Sequence, residues 1–180
     1  MGLLVEDLLL LARLDRERPI SFAPVEMPVL GMDAVQAARA TAPQRTIELQ
    51  VRDPAESLVA YGDDARLRQV IGNLMTNALV HTPPDASVTL SLRAEPGVVV
   101  AEVSDTGPGL SPEQRERVFE RFYRADEART RRTDRTSTST GLGLAIVAAI
   151  VRAHHGEVEV LSEPGQGATF RIRLPRAAPD

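Results

Sequence analysis

The chain has 180 residues and a mass of 19.5 kDa, with 43% hydrophobic and 26% charged residues; that is enough for one globular domain with its own core and argues against disorder. Cysteine is absent and all 21 basic residues are arginine, which excludes disulfides, thiolate chemistry, Schiff-base lysines and any P-loop, whose lysine must reach the phosphates. A net charge of −4 with three histidines (His81, His154, His155) speaks against nucleic acid as a main partner and against a multi-histidine metal site.

Residues 3–14 read LLVEDLLLLARL, an apolar helical pattern too short to stand alone in water, so it must dock on the domain or on a second chain. Its abrupt start at Met1-Gly2 points to a piece of something longer. Residues 20–28 read as an edge strand interrupted by Pro24 and Pro28, followed by a helix through Val29, Leu30, Val35 and Ala38 that ends by Pro43. Ile47, Leu49 and Val51 alternate as a strand, and Leu58–Tyr61 is a second. Asp63 or Asp64 can cap a helix running to about His81. Strands over 87–93 and 98–103 are joined by a Glu-Pro-Gly turn, a hairpin signal.

The span 106–140 is long and polar, with a helix start at Ser111-Pro112-Glu113-Gln114 and almost no apolar residue from Arg124 to Ser139. Six arginines against three acids between Arg121 and Arg135 read as a solvated charged loop first and as a docking patch second. A loop of this length in a small domain is functional or disordered. Gly141 is expected to open a helix to about His154, and strands over 157–161 and 168–174 close the chain around Glu163-Pro164-Gly165. The sum is an α+β layer, a mixed sheet with helices on one face.

Four features carry chemistry. On the helix after Asp64, Leu67, Val70, Ile71, Leu74 and Ala78 share an apolar side, while Asn73, Asn77, Val80 and His81 line the adjacent stripe; half-buried amides there need partners. Asp105-Thr106-Gly107-Pro108-Gly109 follows a strand, where the carboxylate can accept from a base amino group and glycine permits close backbone approach. Thr140-Gly141-Leu142-Gly143-Leu144 opens a helix whose free N–H groups and positive dipole end suit phosphate oxygens. Gly165-Gln166-Gly167-Ala168-Thr169-Phe170 feeds the last strand. Each alone is common: bracing amides, a strand-to-loop turn, a tightly packed helix, a β-turn.

Together and in this order they resemble the boxes of the sensor histidine kinases of bacterial two-component signal transduction. Asn73-Leu-Met-Thr-Asn77-Ala-Leu-Val-His81-Thr-Pro is similar to the N box, and Asp105–Gly109 to the first glycine box. Val118-Phe-Glu-Arg-Phe-Tyr-Arg124 resembles the F box, Gly141–Leu144 the second glycine box and Gly165–Phe170 the third. Val5–Asp15 resembles the tail of the second dimerisation helix.

The resemblance implies a Bergerat-fold two-layer α/β sandwich over 17–180, with a mobile ATP lid at about 106–140 and a truncated dimerisation helix over 1–16. It implies ATP and Mg²⁺ as ligands. Asn77 would hold the metal, and Asn73 and His81 would line the phosphate side. Asp105 would accept from adenine, with Gly107 and Gly109 giving the base room. Thr140, Gly141, Leu142, Gly143 and Leu144 would bind phosphates, Tyr123 and Arg124 would belong to the lid, and Thr169 would close the pocket. The implied activity is that of a protein histidine kinase, passing the γ-phosphoryl to a histidine on a dimerisation helix that this chain lacks; none of its histidines has the expected H-E-x-x-x-P context. Partners would be that phosphoacceptor domain and a response regulator, with neither nucleic acid nor direct membrane contact, on the cytoplasmic side of a parent anchored in the inner membrane. Two departures stand out: Val80 where many relatives carry a cation, and Thr136–Thr140 where relatives often carry glycines. The competing readings are an ATPase of the gyrase, MutL or chaperone type, which would need a glutamate where Asn73 stands, and a nucleotide-binding module without turnover.

Overall fold

The computed structural model describes residues 19–52, 56–124 and 141–178, together with Val5, Leu8 and Leu9. In chain order its elements are β1 (Ala23–Glu26), α1 (Met27–Thr41), β2 (Ile47–Val51), β3 (Val59–Gly62), α2 (Asp64–Val80), β4 (Val88–Glu95), β5 (Val98–Asp105), α3 (Pro112–Arg117), α4 (Gly143–Ala153), β6 (Glu157–Ser162) and β7 (Ala168–Pro175). Five strands form one sheet in the order β2-β4-β5-β7-β6, mixed because β2 runs parallel to β4 and the other pairs are antiparallel. Strands β1 and β3 form a separate two-stranded sheet. This is the mixed-sheet α/β sandwich of the Bergerat type.

The core lies between the larger sheet and α1, α2 and α4. Leu90, Leu92, Ala101, Val103, Phe170, Ile172 and Leu174 alternate inward from the strands and meet Leu67, Val70, Ile71 and Leu74 of α2 and Ile146, Val147, Ile150 and Val151 of α4, all buried. The stripe read from periodicity on α2 is therefore its buried side. Helix α2 starts where the Asp63 side chain accepts from the Arg66 amide at 3.1 Å, a cap worth about 1 kcal/mol. The Asp63 amide donates in turn to Nε2 of His154, whose Nδ1 donates to the Ile150 carbonyl at 2.8 Å. His154 is fully buried and both its nitrogens are engaged, so it joins the end of α4 to the start of α2.

Two expectations need correction. The strand over 20–28 is shorter, because Pro28 sits in the first turn of α1, where a missing N–H costs nothing; what remains, β1, is an edge strand as expected, in the small sheet it forms with β3. The helix expected to open at Gly141 begins at Gly143, because Gly141 has φ +70°, a left-handed conformation outside any right-handed helix. The capping box at Ser111 is present, with Ser111 Oγ accepting from the Gln114 amide and Gln114 accepting from the Ser111 amide. Of the leading segment, Val5, Leu8 and Leu9 are helical and exposed; the rest of it, and most of the charged loop, lie outside the described residues.

The face of the sheet turned away from the helices carries a closed ring of charge. Arg93 pairs with Glu95 and Glu102, Glu102 with Arg171, Arg171 with Glu159, Glu159 with Arg173, and Arg173 with Glu95. Arginine stems flank Val100 on both neighbouring strands, through Arg93 and Arg173 in register, and Val100 is fully buried on this otherwise polar face.

Candidate nucleotide site

The stripe beside the buried side of α2 faces the start of α4. Asn73 is half-buried, and its Nδ2 donates to the Gly143 carbonyl at 3.3 Å. The N box and the second glycine box therefore touch. Asn77, one turn on, is half-buried, and its side chain has no hydrogen bond to a described residue. Its carbonyl accepts from the His81 amide at 3.0 Å, so His81 ends the helix at the surface. Val80 is exposed.

Helix α4 has no side-chain cap at Leu142 and no acid in its first turn. Its leading N–H groups thus keep their capacity for an anion. Leu142 itself is fully buried and its carbonyl accepts from Ile146 at 2.9 Å; its side chain anchors the helix start, while Gly141, Gly143 and Leu144 stay half-exposed.

At the end of β5, Asp105 Oδ1 accepts from the Gly107 amide at 2.9 Å. Burial pushes the Asp105 carboxyl above the usual carboxylate range, against the pull of the Gly107 and Ala168 amides and the charges of Arg45 and His81. A half-buried carboxylate with one oxygen bonded inward is suited to accept from a ligand amino group. Beyond it the first and third glycine boxes interlock. A Cβ on Gly109 would lie 2.1 Å from the Glu163 carbonyl oxygen, and one on Gly167 would lie 1.9 Å from that of Asp105; both glycines have positive φ. What these two glycines make room for is each other's loops. The Gly165 amide donates to Pro108 at 2.7 Å, and buried Ser162 accepts from the Leu110 amide while donating to Gly167. Thr169 shares a 2.8 Å hydrogen bond with Ser104 across β5 and β7.

The F box splits into an anchor and an exposed end. Val118 is buried and Phe119 meets Phe170 edge-on at 6.1 Å. Tyr123 lies under the Arg117 guanidinium at 4.7 Å, and Arg124 is exposed. Phe122, exposed and with φ 64°, donates its amide to the Gly141 carbonyl at 3.0 Å. The chain therefore leaves for residues 125–140 and returns from them at adjacent points. Thr140 lies outside the described residues. Sequence reasoning missed Arg45, Thr82, Ser104 and Ser162. Arg45 is a lone arginine in a turn, and no local pattern marks it.

The Bergerat fold implies Mg²⁺ and ATP. No cluster of three acidic or histidine ligands exists among the described residues, so a magnesium ion here must draw most of its ligands from phosphate and water. Asn77, whose side chain has no hydrogen bond to a described residue and which lies one turn beyond the Asn73 that meets Gly143, fits that demand: its oxygen is the hard donor such an ion accepts.

The fold is that of one family. The model of the histidine kinase-, DNA gyrase B- and HSP90-like ATPases matches residues 62–178, and the chain belongs to that family. Among the proteins it resembles are sensor histidine kinases. It is 49% identical over 172 residues to the probable sensor histidine kinase TcrY of Mycobacterium tuberculosis, covering 96% of this chain and 35% of that protein. It is 40% identical to the sensor histidine kinase TrcS of the same organism, covering 97% and 34%. The chain thus spans about a third of the length of these relatives. Among solved structures, full-length ShkA in complex with AMPPNP superposes with a TM-score of 0.82 at 34% identity, over 98% of this chain and 36% of that one. The mycobacterial sensor histidine kinase MprB superposes at 0.72 and 28% identity, over 87% and 99%.

Proposed function

We propose that this domain binds Mg·ATP and delivers the γ-phosphoryl group to a histidine on a dimerisation helix outside the chain, for onward transfer to a response regulator. The observation that carries this reading is the junction of Asn73 with Gly143, which sets a stripe of amides against an uncapped helix start. The chain's residues then divide the work. Asp105 accepts from the adenine amino group. The N–H groups at the start of α4 take phosphate oxygens, and Asn77 offers its side-chain oxygen to the metal. Bound Mg²⁺ would neutralise charge on the phosphates. Phosphoryl transfer asks mainly for positioning and charge neutralisation, and the site contains both kinds of group. ShkA, a relative at 34% identity, was crystallised with AMPPNP, which supports the choice of nucleotide.

An ATPase of the gyrase type is the weaker reading. The residue one turn before Asn77 is Asn73, whose Nδ2 is committed to Gly143, and an amide cannot take a proton from water. Residues 1–16 are proposed as the end of the second dimerisation helix, and the domain as lying on the cytoplasmic side of its parent. Calorimetric titration with AMPPNP, with and without Mg²⁺, tests the reading. Binding that tightens with Mg²⁺, followed by labelling from γ-labelled ATP of a separately supplied phosphoacceptor domain, is expected. Binding without labelling would leave a nucleotide-binding module without turnover; no binding by the folded protein would end the proposal.

A further inference from the structure

Arg45 lies in the turn between α1 and β2, apart from every box described above, yet its guanidinium reaches the C-terminal end of α2 and the loop beyond it. Nη1 donates to the Leu79 carbonyl at 2.9 Å, Nε and Nη2 donate to the Ala86 carbonyl at 3.2 and 3.0 Å, and Nη2 also donates to Thr82 Oγ1. Helix α2 has no basic residue in its last turn, so Arg45 supplies from outside the cation that a helix C-terminus favours. The same fork fastens the loop between α2 and β4 at both ends, through Leu79 and Ala86.

The contacts then run on to the carboxylate. Thr82 donates to the Ala78 carbonyl at 2.6 Å, which fixes its rotamer. Its Cγ2 lies so close to Gly107 that a Cβ there would meet it at 2.5 Å. The Gly107 amide holds Asp105 Oδ1. The next residue, Thr106, is tied to the same loop, its Oγ1 accepting from the Ser87 amide at 2.9 Å. Guanidinium, threonine, glycine and carboxylate thus form one packed series.

We infer that Arg45 is a positioning residue for base recognition: it holds the loop between α2 and β4 against Gly107 and keeps the Asp105 carboxylate placed to receive an amino group. This rests on the reading of Asp105 as the adenine acceptor. The groups that act on that carboxyl are the Gly107 and Ala168 amides, Arg45 and His81. Burial already raises its proton affinity, and the Arg45 charge is one of the forces opposing that rise.

Arginine and lysine separate placement from charge, since lysine keeps the charge but cannot span three acceptors. The test uses the whole chain as Arg45→Met, Arg45→Lys and Thr82→Val. AMPPNP affinity with Mg²⁺ is followed by calorimetry between pH 4.5 and 8. The Asp105 carboxyl carbon is titrated by NMR in nucleotide-free protein, its signal assigned by loss in Asp105→Asn. Arg45→Met is expected to weaken binding about tenfold at neutral pH, the scale of lost charge-assisted hydrogen bonds, and to move the Asp105 midpoint and the acid limb of binding upward together. Arg45→Lys should keep the midpoint near that of the unaltered chain while binding stays weakened. Thr82→Val should weaken binding without moving the midpoint. An Arg45→Met protein with unaltered affinity, or with the Asp105 midpoint unmoved, overturns the inference. Should Arg45→Met fail to fold, Arg45→Lys and Thr82→Val proteins that both bind normally overturn it instead. Absence of binding by the unaltered chain defeats the nucleotide reading itself, and the ligand-free titration then decides the coupling between Arg45 and Asp105 alone.

Discussion

At the Asp105 end of the site two glycine loops meet backbone to backbone, whereas at the Gly143 end the flanks of residues 125–140 are joined, among the described residues, by the hydrogen bond from Phe122 to Gly141. The first junction has no slack. Gly109 and Gly167 each face a carbonyl oxygen at a distance no Cβ could tolerate, and Ser162 bonds to both loops from beneath. The second is an exposed contact, and it includes a phenylalanine held at positive φ, a conformation that costs an L-residue about 1–2 kcal/mol. The contrast teaches a division of labour. The corner proposed to read the base is braced by the fold itself, while the corner proposed for the phosphates is closed by an exposed contact outside the core.

The largest break should come from Gly167→Ala. The new methyl would collide with the Asp105 carbonyl, and the loops would have to part; about 3 kcal/mol or more is expected to be lost in urea unfolding, with nucleotide binding lost alongside. Asp105→Asn should separate binding from stability. Adenine nucleotides should bind at least tenfold more weakly, yet guanine nucleotides should be affected less, and a calorimetric comparison of the two decides it. The sign on stability is opposite. Because burial raises the Asp105 carboxyl in the folded protein, its ionised form burdens the fold above that pKa and the burden is relieved as pH falls through it. Asp105→Asn should therefore melt no lower than the unaltered chain at pH 7, and the difference should shrink toward acid.

At the other corner the same chemistry should cost less. Gly141→Ala places a Cβ 3.0 Å from the Phe122 backbone at φ +70°, and a loss of about 1 kcal/mol is expected in thermal unfolding. Phe122→Gly should go the other way by up to about 1 kcal/mol, because glycine adopts that φ freely. If the two glycine substitutions proved equally costly, the contrast between the corners would be gone. The smallest effect belongs to the outer face of the sheet. Burial raises the Glu102 carboxyl, but the Arg171 and Arg93 guanidiniums outweigh it and hold it below the usual range. Its contribution is thus present at neutral pH and lost as pH falls below about 4. Glu102→Gln should cost about 0.5 kcal/mol at pH 7, and the cost should shrink as pH falls through the depressed pKa of the folded protein.

Much of this could be read in the residues, because the signals are local. The apolar repeat of α2, the Asp63 cap, the Ser111 capping box and both hairpin turns each sit within a few positions of one another, and each appears where the pattern puts it. The N-box and glycine-box residues were legible for the same reason. Errors arose where one residue obeys a distant contact. Pro28 reads equally as a strand-breaker or as a first-turn helix residue, and only the pairing of β1 with β3 distinguishes them. Gly141 looks like a helix start until its contact with Phe122 is seen. Arg45 was invisible because its acceptors lie 34 to 41 positions away, and nothing in a turn arginine announces such reach.

The ring of three arginines and three glutamates on the open face of the sheet has a consequence for assembly. Its charges cancel within the ring, so the ring itself adds no net charge to that face. Stacking a second sheet upon it would strip water from all six ions at once, a cost that apolar contact there could not repay. Sheet-on-sheet stacking of two copies through this face is thereby disfavoured.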